Sequence, residues 1–310
     1  MTGLPLACTV EVGEGVEAAL AELASIAAEV RPTDVPSWRV FARFADRLAG
    51  AAPELHEVRN VTIPRRLGGI GLRVYRPAPG TLPAVLFVHG GWFFFGDLES
   101  HDTLCRSLAA ASGCAVIAVH YRRGPEHPFP AAPDDCFETL TWIADHAEDL
   151  GIDPTAIAIA GDGAGGTLAA LTARRARDQG GPSLRAQTLL YPVLTAEVPD
   201  VSGVPLVSAD LVRSGWSMYA PSGGEGLVPP RTDLAGLPPT LVVTAEHDPF
   251  RDDAEAYAAA LVDAGVEAAT TRYDGMVHGF LSLAGPVPAA RDALTSVGTF
   301  LRSALGSDAP

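Results

Sequence analysis

The chain has 310 residues, 47% of them hydrophobic, and a formal net charge of −15 from 22 Lys and Arg against 37 Asp and Glu. That length allows one large α/β core with a small cover, not two full domains. An acidic surface without a basic stripe repels phosphate backbones and anionic lipid, so no nucleic-acid or membrane partner is expected. The four cysteines, Cys8, Cys105, Cys114 and Cys136, have neither disulfide nor metal-ligand spacing and read as small buried hydrophobes of a reducing compartment. No basic region followed by an apolar run opens the chain, and no apolar run reaches the roughly 18 residues of a membrane span. A cytoplasmic protein is expected, with a homodimer left open.

Val16 to Val30 places Leu20, Leu23, Ala24 and Ala27 on one face and reads as an amphipathic helix. Pro36-Ser37 opens a second, carrying Trp38, Phe41, Phe44, Ala45 and Leu48. Val58 to Ile63 and Ile70 to Tyr75 alternate across Gly68-Gly69, a hairpin signal. From Ala84 onward short strands without polar alternation, 84–88, 115–119, 156–160, 186–191, 240–245 and 268–273, are separated by helical stretches near 99–112, 133–147, 165–179, 251–264 and 287–305. That rhythm predicts a mainly parallel sheet covered on both faces. Residues 1–52 form an N-terminal helical cap in this reading and 53–310 the core. The Pro- and Gly-rich interval 192–239, with a helix near 210–219, adds a second cap element.

Three loops stand directly after strands, where open α/β sheets place their ligands. The first is His89-Gly90-Gly91-Trp92-Phe93-Phe94-Phe95-Gly96, whose consecutive glycines let the backbone aim N–H groups at an anion. Gly90, Gly91 and Trp92 are its candidate donors. The second, Gly161-Asp162-Gly163-Ala164-Gly165-Gly166, has the build of a nucleophile elbow between strand and helix, with Gly163 at the nucleophile position and so no nucleophilic side chain there. The N–H of Ala164, at a helix start, adds a donor. Asp248 and His278 follow the last two strands, completing the chain order nucleophile position, acid, histidine.

Trp38, Phe41, Phe94, Trp216 and Tyr219 are expected to face one cavity suited to a flat, largely apolar ligand. The alternative is that Trp38 and Phe41 only bind the cap to the sheet. The histidines show no ligand spacing and no Gly-x-Gly-x-x-Gly opens the sheet, so neither a metal nor a cofactor is expected.

Taken together, Val88-His89-Gly90-Gly91, Gly96-Asp97 with His101-Asp102, Tyr121-Arg122 with Pro125-Glu126-His127-Pro128, Gly161-Asp162-x-Ala164-Gly165-Gly166, Leu190-Tyr191-Pro192, Ala245-Glu246-His247-Asp248-Pro249 and His278-Gly279-Phe280 resemble the hormone-sensitive-lipase-like branch of the α/β-hydrolases. The resemblance runs from about residue 15 to 305. It implies the α/β-hydrolase fold with an eight-stranded mainly parallel sheet, an N-terminal cap, Asp248 and His278 as acid and base, and hydrolysis of short-chain acyl or aryl esters without a cofactor. Gly163 stands where that family has its serine, and Trp92 where it has a third glycine. Thr167 and His120 replace a common asparagine and aspartate.

The leading expectation drawn from these departures is a non-hydrolytic enzyme of specialised metabolism, as for serine-less relatives of the family. Its His278–Asp248 dyad would move a proton in elimination, dehydration, decarboxylation or cyclisation of a small apolar carbonyl-containing metabolite, with Gly91 and Ala164 facing a developing enolate. Two alternatives stand beside it. One is a carboxylesterase of the same family with its nucleophile replaced by Gly163 as an engineered inactivation. The other is a non-catalytic small-molecule binding protein.

Overall fold

Strands of Ala, Val, Ile and Leu that lack polar alternation can be accommodated only in a sheet covered on both faces. The computed structural model describes residues 10–27, 30, 34–66 and 68–306 and shows that arrangement. Two helices, α1 (Val16–Ala27) and α2 (Val35–Ala45), and a 3-10 turn, Asp46–Ala49, precede the sheet. Then follow β1 (Glu57–Pro64), β2 (Gly69–Arg76), β3 (Leu82–Val88), α3 (Asp102–Ser112), β4 (Ala115–His120), α4 (Ala131–Asp145), α5 (Ala147–Leu150) and β5 (Ile152–Asp162). The chain continues through α6 (Ala164–Gln179), β6 (Ala186–Leu190), α7 (Ala209–Tyr219), β7 (Thr240–His247), α8 (Arg251–Asp263), β8 (Ala268–Val277), a second 3-10 turn (Phe280–Leu283) and α9 (Pro288–Leu305).

The eight strands lie in the order β1-β2-β4-β3-β5-β6-β7-β8. The pairs β1–β2 and β2–β4 are antiparallel and every later pair is parallel. Successive side chains of the central strands point to opposite faces. Val85, Phe87, Val116, Ala118, Ala158 and Ala160 pack with Leu104 and Leu108 of α3 and Leu294, Val297 and Leu301 of α9. Leu86, Val88, Ile117, Val119, Ile157 and Ile159 pack with Leu140 of α4, Leu168 of α6 and Leu261 of α8. The α/β-hydrolase fold expected from the motifs is borne out: each expected strand is present, and an N-terminal helical region precedes the sheet.

Two boundaries differ. β5 begins at Ile152, ahead of the apolar run, because Ile152 pairs with Leu82 before a register shift restores pairing at Ala84–Ile157. α1 is assigned over Val16–Ala27, and the rest of the expected first helix, like Cys8 and the tail 307–310, lies largely outside the described residues. Cys105, Cys114 and Cys136 are buried free thiols. No helix among the described residues is long and apolar enough to cross a membrane.

The sharpest packing constraint lies where α6 leaves the end of β5. A Cβ on Gly165 would sit 2.0 Å from the Val88 carbonyl oxygen and 2.6 Å from that of His89, so the helix can pass the end of β3 only without a side chain there. Gly165→Ala is therefore expected to destabilise the fold by about 1–3 kcal/mol, since backbone on both sides must move. The urea midpoint measures this, and an unchanged midpoint would contradict the packing.

Candidate active site

β5 ends at Asp162, and the chain reverses through Gly163 at φ 51°, ψ −118° before α6 begins. That left-handed conformation is costly for any residue with a Cβ. The turn is tied down by its own backbone. The Gly163 N–H donates to the Leu190 carbonyl at 2.9 Å, and its carbonyl accepts from Gly166 at 3.0 Å, Val193 at 3.2 Å and Thr167 at 3.3 Å. A Cβ built on Gly163 would point at His278, 3.3 Å from Nε2 and 3.8 Å from Cε1. The elbow geometry is thus present, and the direction in which its side chain would leave is toward the imidazole.

His278 follows β8 and Asp248 follows β7, and the two meet through Nδ1–H donating to Asp248 Oδ2 at 2.8 Å. The other carboxylate oxygen accepts the Phe250 N–H at 2.9 Å, which fixes the rotamer. With Nδ1 protonated toward Asp248, Nε2 presents its lone pair to the elbow. Burial opposes the imidazolium, but the charge and hydrogen bond of Asp248 outweigh it, and the His278 pKa lies above its ordinary value. Trp92, Tyr191 and Phe250 enclose the ring, at centroid distances of 6.3, 5.3 and 5.9 Å.

The loop after β3 is held from several sides. Gly91 accepts from Phe94 at 3.1 Å and Phe95 at 2.8 Å, closing a turn in which Trp92 and Phe93 both take positive φ, 51° and 62°. Burial pushes the His89 pKa well down, so the ring is neutral, donating from Nδ1 to the Gly90 carbonyl at 2.8 Å and stacking on Tyr121 at 4.3 Å. The Gly90 N–H donates to Asp162 Oδ1 at 2.8 Å. Gly90 was expected among the anion donors, and that expectation is corrected: its N–H is already spent on joining the loop to the elbow. The N–H groups of Gly91, Trp92 and Ala164 have no acceptor among the described residues, and all three residues border the same cavity.

That cavity encloses about 170 Å³ above Gly163. Its walls are Leu23 from α1, Trp38, Phe41 and Ala42 from α2, Trp92 and Phe95 from the loop, Tyr191 and Val193 after β6, Leu206 and Leu211 around α7, and His278. Trp38 and Phe41 therefore face the cavity while also packing on each other at 5.9 Å and, through Trp38, on Phe95 at 5.3 Å. Three other expected pocket rings do not line it. Phe94 is fully buried beneath Trp38, 6.2 Å from it edge to face. Trp216 and Tyr219 turn to Phe93, at 5.2 and 4.0 Å, because the inward face of α7 docks on the far side of the loop. Phe95, Tyr191, Asp46, His101 and Asp162 line the cavity without having been singled out for it. Tyr191 and His101 stood in motifs noticed only as resemblance, and a loop with two left-handed residues offers no periodicity to tell Phe94 from Phe95.

Comparison with known proteins agrees with this geometry. A model of the alpha/beta hydrolase fold matches residues 85–282. Carboxylesterase NlhH of Mycobacterium tuberculosis is 40% identical over 242 residues, covering 73% of this chain and 76% of that protein. The structure of a hyperthermophilic esterase from the archaeon Pyrobaculum calidifontis superposes with a TM-score of 0.86 at 38% identity, covering 93% of this chain and 96% of that one. EstE1, a thermostable carboxylesterase from a metagenomic library, gives 0.83 at 39% identity over 90% and 99%.

These likenesses overturn the expectation of a lyase- or cyclase-like enzyme. The relatives that share most of this sequence are named as esterases, lipases or ester hydrolases, and nothing among them supports elimination, dehydration, decarboxylation or cyclisation. Glycine at position 163 was too slight a reason to move the chain out of ester chemistry. The chain belongs to the alpha/beta hydrolase fold family, and within it is related to the hormone-sensitive-lipase-like carboxylesterases.

Proposed function

We propose that this chain is a carboxylesterase-type hydrolase of small acyl esters in which Gly163 holds the nucleophile's place and water activated by His278 attacks the ester. The observation that carries this reading is the 3.3 Å separation between His278 Nε2 and the Cβ direction of Gly163. A hydroxyl on that carbon, or a water lodged beside the bare glycine, comes within hydrogen-bond reach of the imidazole. The relatives named carboxylesterase, ethyl acetate hydrolase and arylesterase support the substrate class, and a cavity of about 170 Å³ suits a short acyl chain.

In this mechanism Nε2 takes a proton from water as its oxygen adds to the ester carbonyl. The carbonyl oxygen becomes an oxyanion facing the N–H groups of Gly91, Trp92 and Ala164. The tetrahedral intermediate collapses, the imidazolium returns the proton to the departing alcohol oxygen, and acid and alcohol leave. Asp248 holds the tautomer and stabilises the imidazolium. α1 and α2 on one side, and the 192–239 segment on the other, act as the two covers of the cavity.

Gly163→Ser is expected to raise kcat/KM on p-nitrophenyl butyrate by about a thousandfold or more, the order of effect that a working nucleophile has on this kind of triad. Mass spectrometry should then show a phosphonate adduct on Ser in the variant and none at Gly163 in the parent. A variant no faster than the parent would overturn the esterase reading. The same variant should also melt earlier, because a side chain at φ 51° costs about 1–3 kcal/mol of backbone strain; an unchanged denaturation midpoint would show that the turn had relaxed.

Hydrolysis by the parent chain should rise with pH, since His278 works as a base only when neutral. Asp248 raises its pKa, so the inflection should lie above the ordinary value of roughly 6.5. In Asp248→Asn the raising charge is gone and burial dominates, so the inflection should move to lower pH while the plateau rate falls by about 100-fold. A pH–rate profile measures both, and an inflection unmoved by the substitution would exclude His278 as the base.

A further inference from the structure

A second histidine–carboxylate pair borders the same cavity. His101, at the start of α3 and 8% exposed, places Nε2 3.3 Å from Asp162 Oδ1, the atom that also accepts the Gly90 N–H at 2.8 Å. Its Nδ1 lies 2.9 Å from Ser100 Oγ. That hydroxyl accepts the Asp97 N–H at 2.8 Å and lies 3.0 Å from the Asp97 carbonyl oxygen, which can take its single proton and leave it an acceptor toward the ring. One ring nitrogen thus faces a carboxylate and the other a hydroxyl, and with the hydroxyl proton on the Asp97 carbonyl both call for an N–H.

We propose that His101 is a positioning residue held as an imidazolium, whose ion pair with Asp162 braces the oxyanion loop and whose deprotonation sets the alkaline limit of activity. The part concerning activity rests on the ester-hydrolase reading; the charge state of the ring does not. Asp162 is the pivot. It precedes Gly163 in the elbow, and its Oδ1 joins the loop, through Gly90, to the imidazolium. The groups that bear on His101 from the surrounding elements are Asp162 after β5, Asp46 in the first 3-10 turn, and, in the loop after β3, His89 and the Asp97 backbone carbonyl. Asp46 is thus a second carboxylate beside Asp162. His89, 5.5 Å away ring to ring, is kept neutral by burial and so adds no competing charge.

Burial works against a charged His101, but Asp162, by charge and hydrogen bond, and Asp46 outweigh it and raise the pKa above the ordinary value. The sign follows. Below that pKa the ion pair is intact. Above it, Nδ1 loses its proton, the Ser100 hydroxyl must turn from the Asp97 carbonyl to the bare nitrogen, and Asp162 loses its charged partner. The loop then loses its fixed position relative to Gly163, and activity falls. His278 is needed neutral and His101 charged, so the two histidines bound the active range from opposite sides.

The test has two arms. In the first, the intact chain is labelled with 15N-histidine, and the His101 resonances are assigned by their disappearance in His101→Gln. Both ring nitrogens should report attached protons over a range that extends to higher pH than for a free imidazole. A ring that loses its second proton at or below the pH where a free imidazole does overturns the proposal whatever the enzyme does. In the second arm, His101→Gln, which keeps a donor toward Asp162 but cannot carry charge, is compared with the parent on p-nitrophenyl acetate. The expected result is a fall in kcat of about tenfold, KM within about twofold, and loss of the alkaline limb with the acid limb retained. A variant that keeps both the parent kcat and the alkaline limb overturns the positioning role. Failure of both proteins to hydrolyse any ester refutes the ester-hydrolase reading and with it the alkaline limit, while the nitrogen spectra decide the ion pair.

Discussion

The reversal at Gly163 is where the sheet, the oxyanion loop and the last helical side of the site are referred to one another. Its carbonyl accepts three N–H groups and its own N–H reaches the end of β6. The residue before it holds Gly90 through a carboxylate, and the glycine two places on lets α6 slide beneath β3. Displace this turn and the imidazole no longer faces the point where an ester carbon would sit. The turn is therefore over-determined by backbone contacts, and it keeps an elbow's conformation even with no side chain to display. Glycine reaches φ 51° without the steric cost that a residue with a Cβ would meet.

The electrostatics of the cavity follow from which groups sit beside carboxylates. His278 and His101 are both buried, and in both a neighbouring carboxylate reverses the preference that burial alone would impose. His89, buried without such a partner, goes the other way and is neutral. Three histidines close to one cavity thus take different protonation behaviour from their partners and not from their depth. The contrast is sharpest between His89 and His101, whose rings lie 5.5 Å apart.

The fold was legible because it rests on periodicity. Strands such as 84–88 and 115–119 carry apolar residues at every position, and the helices between them repeat at helical spacing. The site was legible only where order along the chain sufficed, as with His278 after β8 and Asp248 after β7. Side-chain direction in the loop after β3 was not, since a run of Phe93, Phe94 and Phe95 through left-handed residues has no pattern to read. Gly90 misled for a related reason. A glycine-rich stretch announces that N–H groups can converge, but which of them is already engaged depends on Asp162, which is 72 residues away along the chain. The function misled differently. The glycine at the elbow suggested a change of chemistry, and the likeness to esterases over most of the chain overturned it.

Trp92 illustrates how the scaffold absorbs a bulky residue in a glycine-rich loop. A bulky residue at φ 51° is strained, and something must give the ring room. That partner is Gly215 on α7, where a Cβ would come within 3.0 Å of Cε3 and 3.2 Å of the Trp92 Cβ. The indole runs against α7, Phe250 and the His278 ring, and so it becomes part of the cavity wall next to the base. The far side of the same loop is clamped by Phe93 on Tyr219, from one turn further along α7. A single helix outside the sheet thus holds both faces of the oxyanion loop. The shape of the cavity and the position of its N–H donors are consequently set together: any shift of α7 moves the wall that a substrate touches and the backbone that would receive its negative charge.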